Sequence, residues 1–88
     1  MNRKLTRDQL WILRHLAEHG TDYSFAMAKE HGAPKRTTID YNLNHGLADR
    51  GYIRTDTRLV TYPKSATWVK WVEITEDGRT TLMQEDSQ

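Results

Sequence analysis

Apolar residues recur at helical spacing through the first half of the chain and at alternate positions through much of the second. At about 100° per residue, Leu10, Leu13, Leu16 and Ala17 share one arc, with Ile12 at its edge. The stretch "TRDQLWILRHLAEHG" therefore predicts a first helix. Thr6 followed by Gln9 has capping-box spacing, and Gly20 offers a stop. "YSFAMAKEHG" predicts a second, short helix with Ser24 as N-cap and Phe25 and Ala28 towards the core. Gly32 ends it and Pro34 blocks its continuation. In 35–50, Ile39, Leu43 and Leu47 repeat every fourth residue on one face of a third helix, which Gly51 terminates.

After Gly51 the composition changes. "YIRTD" and "RLVTYPKSATWVKWVEI" are rich in Tyr, Ile, Val, Thr and Trp, which suit strands, with a reversal at 63–66. Alternation puts Trp68, Val72 and Ile74 on one face, Val69 and Trp71 on the other. "TEDGRTTLM" closes the pattern as a helix capped by Thr75, with acids in its first turn. The expected class is α+β: a three-helix core, a two- to three-stranded hairpin and a short C-terminal helix. Residues 1–88 are read as one domain, with a basic arm at 1–4 and a polar tail at 84–88 expected to be flexible.

Composition narrows the classes. Lys and Arg number 13 against 12 Asp and Glu, a formal charge of +1, so the chain is no unspecific polycation. Distribution of charge, not its total, decides nucleic-acid binding. There are no cysteines, which excludes disulfides and thiolate chemistry, and a cytoplasmic setting is expected. No apolar run suits a membrane span, and the first residues lack the apolar region of a signal peptide.

Four stretches, in order, carry a family likeness. "LTRDQLWILRHLAEHG", "AKEHGAPKRTTI", "LADRGYI" and "VEITEDGR" together resemble a winged helix-turn-helix domain of the MarR-like and PadR-like regulators. The likeness runs from Leu5 to Met83. Ile39 comes one place later after Ala28 than the family pattern has it, so the turn is expected to be one residue longer. The resemblance implies sequence-specific binding to double-stranded DNA in transcriptional control, repression more often than activation. The third helix, 35–50, would lie in the major groove and the wing, 58–70, on flanking backbone.

The residues themselves point the same way. Opposite Ile39, Leu43 and Leu47 lie Thr37, Thr38, Tyr41 and His45, with Asn44 on the flank and Asn42 at the other margin. These side chains offer donors, acceptors and methyl groups suited to base edges and phosphates. A plain solvated face would favour Lys and Glu, which are better helix formers. Lys35 and Arg36 stand at the N-terminal end, where an anion is favoured. Arg54, Arg58, Lys64 and Lys70, with Ser65 at the tip, are the expected wing contacts, Lys64 projecting from the turn. The alternative for these bases is edge charge that discourages strand pairing.

Trp11 falls off the first helix's core arc, and Val69 and Trp71 face outward, which makes the three an expected interface, a homodimer being its natural form. The alternative is packing of Trp11 beneath the first strand and of Trp71 across the wing. His15 and His19 are spaced to share a metal, but the sequence shows no third ligand, so they are read as solvated. No metal, cofactor or membrane partner is expected. No catalytic motif appears, so the chain is not read as an enzyme. The rival class is a winged-helix protein-interaction module or phage-type adaptor that does not read DNA.

Overall fold

A computed structural model of the chain describes residues 5–34 and 36–86, except for the side chains at 36–38 and 86. Helix α1 (Arg7–His19) starts at a complete capping box: Thr6 Oγ1 accepts from Gln9 N at 3.2 Å, and Gln9 Oε1 accepts from Thr6 N at 2.9 Å. Gln9, Ile12, Leu13 and Leu16 are its buried residues, so Ile12 lies in the middle of the apolar arc and Leu10 and Ala17 at its edges. A two-residue strand β1 (Asp22–Tyr23) follows, which periodicity had no means of signalling. It runs straight into α2 (Ser24–Lys29), with Tyr23 extended at the N-cap position. Pairing with the sheet holds Tyr23 extended, so the helix begins at Ser24 and Ser24 is not its cap. The face turns accordingly: Ala26 and Met27 are buried, while Phe25 and Ala28 are partly buried.

The third helical segment departs from one continuous α-helix. Helix α3 (Arg36–Tyr41) passes into a π-helical segment (Asn42–Ala48) before the Gly51 turn. π-turns are wider and are used in single short pieces. Ile39, Leu43 and Leu47 are fully buried, and Asn42 and Gly46 join them on the inward side. Gly51 has a φ of 79°, where a Cβ is strained, and turns the chain into strand β2 (Ile53–Tyr62).

Strand β2 is continuous through both strand-like stretches and pairs with β3 (Ser65–Ile74) from Ile53↔Ile74 to Tyr62↔Ser65. The reversal is therefore only Pro63 and Lys64, shorter than the 63–66 expected. Strand β1 pairs with the other edge of β3, giving the antiparallel order β1-β3-β2. The hairpin extends the molecule to 48 Å along one axis against 22 and 21 Å across. Only its base is packed: Ile53, Val72 and Ile74 join the helical core.

Helix α4 (Glu76–Asp86) closes the chain, so the expected tail at 84–88 is helical as far as Asp86. Its start binds the hairpin's base to the Gly51 turn. Thr75 Oγ1 donates to Gly51 O at 2.7 Å and accepts from Gly78 N at 3.0 Å, and Thr75 N donates to Tyr52 O at 3.0 Å. "LADRGYI" and "VEITEDGR", far apart in sequence, are thus one joint in space. The fold is α+β, with four α-helices and a three-stranded antiparallel sheet among the described residues. The basic arm at 1–4 lies outside the described residues.

Candidate nucleic-acid interface

Two surfaces meet where the π segment passes the base of the hairpin. The α3–π segment turns Ile39, Leu43 and Leu47 inward, which leaves Tyr41 and His45 outward as an exposed pair with ring centroids 5.2 Å apart. Asp49, the next exposed residue on that ladder, places Oδ2 3.7 Å from His45 Nδ1. The outward face therefore carries a carboxylate as well as hydrogen-bonding groups. Asn42, expected at the margin of this face, is only 6% exposed and belongs to the core side. The physical reason is its neighbourhood: Leu43, Gly46 and Leu47 pack closely against α1 and draw that flank in. Asn44 is partly buried and accepts from Lys70 Nζ through Oδ1 at 2.9 Å. Lys35 and the side chains of Arg36, Thr37 and Thr38 lie outside the described residues.

The hairpin divides its bases. Paired residues share a face, so Lys70 stands with Thr57, Thr55 and Val72 on the side turned to the helices. Arg54 and Arg58 stand on the opposite face, with Glu73, Val69, Asp56 and Trp71. The Arg58 guanidinium lies over the Trp71 ring, 4.3 Å from its centroid, a cation–π contact. Lys64 and Ser65 are exposed at the hairpin tip. The structure thus joins Asn44 to Lys70, leaves Tyr41 and His45 exposed on the same segment as Asn44, holds Lys64 and Ser65 at the hairpin tip, and puts Arg54 and Arg58 on the hairpin face opposite Lys70.

The expected interface residues separate too. Trp11 is partly buried against the core and stacks on His15, with ring centroids 5.0 Å apart and planes within 8°. Val69 and Trp71 are partly buried, Trp71 beside Tyr23 of β1 and beneath Arg58. The large exposed apolar residues of the hairpin are instead Leu59, Tyr62 and Trp68, the last 69% exposed because its strand has by then left the core.

A second polar cluster was missed in the sequence. His15 Nε2 lies 2.7 Å and His31 Nδ1 2.8 Å from the same oxygen, Asp22 Oδ2, while Asp22 Oδ1 accepts from Tyr23 N at 2.8 Å. Only 9% of the His15 side chain is exposed, against the solvated histidine expected. Burial works to raise the Asp22 carboxyl. The hydrogen bonds from His15, the Tyr23 N–H and His31, with the His31 charge, outweigh it and hold the group below the ordinary aspartate range. Asp22 reaches the site only because β1 pairs with β3, and no spacing rule in the sequence reports that pairing. Among the described residues, no helix is long and apolar enough to cross a membrane. No family model, no curated protein and no solved structure matches this chain.

Proposed function

We propose that the chain is a winged helix-turn-helix protein that reads double-stranded DNA and serves as a transcriptional regulator, acting as a repressor. The observation that carries this reading is the Lys70–Asn44 bond at the joint of hairpin and third helix. It ties the projecting hairpin to the flank of the segment bearing exposed Tyr41 and His45, so a groove-reading helix and a backbone-touching wing would act as one rigid surface. Tyr41 and His45 supply base-edge donors and acceptors, and Lys64 at the tip supplies a phosphate contact.

The test is selection of bound duplexes from a random pool, followed by fluorescence anisotropy across a salt series. Affinity should fall with salt while preference for the selected site persists. Tyr41→Ala or His45→Ala should reduce discrimination at one base position by about 1–3 kcal/mol. Lys64→Ala should weaken all duplexes alike and lower the salt slope by about 1. Absence of binding to any duplex at low salt would refute the reading. Exposed Leu59, Tyr62 and Trp68 favour the second reading, a protein-docking wing. On that reading Trp68→Ser abolishes partner capture, and Tyr41→Ala leaves it intact.

A further inference from the structure

His15, Asp22 and His31 come from three different elements and aim at one point. His15 is on α1 with its side chain largely buried, Asp22 in β1, and His31 in the turn between α2 and α3. Their donor atoms all lie within 4.8 Å of one another. Two imidazole nitrogens converge on a single carboxylate oxygen. An ionised carboxylate only accepts, so His15 carries its proton on Nε2 and His31 on Nδ1. These two protons occupy the place where a cation would stand.

We propose that this triad is a binding site for a divalent transition metal of the zinc type. Two imidazole nitrogens and one carboxylate oxygen form a donor set that such ions favour, and one open position is left for water. Metal–ligand bonds of about 2.0–2.2 Å put tetrahedral ligand atoms roughly 3.3 Å apart. The present N···O separations of 2.7 and 2.8 Å therefore need to open by only about half an ångström. The ion takes the lone pair of His15 Nε2 and of His31 Nδ1, so a neutral ring moves its proton to its other nitrogen and a charged ring gives one proton to solvent. The ligands are already oriented. The His15 ring is stacked on Trp11 and flanked by His31 at 5.1 Å between centroids, and the Tyr23 N–H pins the second carboxylate oxygen. An open cleft of about 490 Å³, lined by His15, His19, Thr21, Asp22 and His31, gives solvent and ions access. An ion here cross-links α1, β1 and the turn that leads into α3, bracing the helix-turn-helix from outside its core.

The test uses the full chain stripped with chelator and titrated with zinc chloride by calorimetry and thermal melting. One ion per chain should bind saturably, with a Kd on the order of micromolar or tighter, and the melting temperature should rise with zinc. Asp22→Asn and His31→Ala should each weaken binding by about 100-fold, while His45→Ala, on the far helix, leaves it unchanged. Because a variant could fail to fold, the wild-type imidazole NMR signals provide a second readout. Those of His15 and His31 should shift on zinc addition and those of His45 should not. Lack of saturable binding would overturn the proposal. So would retained binding in His31→Ala with loss in His19→Ala, which would place the ion between His15 and His19.

Discussion

Replacing Gly46 with alanine tests how the third helical segment is seated. A Cβ at Gly46 would overlap the Gln9 side-chain amide nitrogen and stand 3.0 Å from Gln9 Cδ and 3.4 Å from Gln9 Cγ. Gln9 is buried, and its amide oxygen closes the α1 capping box. It can yield to the new methyl only by leaving Thr6 N. Overpacking costs about 1–3 kcal/mol and loss of the cap about 1 kcal/mol. Better helix propensity returns about 1 kcal/mol. The net expectation is destabilisation of about 1–3 kcal/mol. With an m-value of about 1 kcal/mol/M for a chain this small, the urea midpoint should fall by about 1–3 M. The decisive measurement is a double-mutant cycle. Gln9→Ala alone should cost about 1 kcal/mol. Gly46→Ala on that background should be neutral or stabilising, because the clash is gone. The coupling should reach about 2 kcal/mol. Additivity within about 0.5 kcal/mol, or a Gly46→Ala variant as stable as the parent, would refute the close approach of α1 and the π segment.

Gly78→Ala meets a harder obstacle, since its Cβ would strike the Tyr52 carbonyl oxygen and lie 2.9 Å from Ile74 Cγ1, and backbone cannot swing aside. Destabilisation of about 3 kcal/mol, larger than for Gly46→Ala, is expected in urea melts. Thr75→Val keeps the shape but removes the hydroxyl that joins Gly51 O to Gly78 N; thermal melting should show a loss of about 1–2 kcal/mol. Arg58→Ala uncovers Trp71 and should cost only about 0.5–1 kcal/mol, with a changed tryptophan emission spectrum as the readout.

Local signals carried the fold as far as local physics decides it. Thr6 and Gln9 specify the start of α1 because a capping box is complete within four residues. Ile39, Leu43 and Leu47 are equally legible, since a repeat of four selects one face of either an α- or a π-helix. That same ambiguity hid the π segment, and with it the burial of Asn42. The candidate interface was legible to a similar depth. Tyr41 and His45 are outward because the apolar residues on their own helix leave them no other direction. The fate of the hairpin bases depended on register: pairing of Arg58 with Val69 and of Thr57 with Lys70 decides which bases look at the helices. A hairpin's register is set by its turn, and Pro63 and Lys64 form a loop two residues shorter than the composition of 63–66 suggested.

The His15–Asp22–His31 triad marks where local reading ends, for a reason that also bears on its use. Asp22 and Tyr23 are too short a stretch to show any period, and they are a strand only because β3 offers an unpaired edge. That edge exists because the hairpin's base is buried under the helices, so the triad's geometry is inherited from the whole fold. Disturbing the hairpin base should therefore disperse the triad before it unfolds α1, which has its own cap and its own buried face. Val72 is the residue that couples them, being fully buried and the register partner of Asp22. Val72→Ala removes two methyl groups from the core at a cost of about 2–3 kcal/mol. It should weaken zinc binding although Val72 is not itself a ligand. If zinc affinity is unchanged in a folded Val72→Ala protein, β1 holds Asp22 in place without the sheet, and the dependence of the site on the hairpin is refuted.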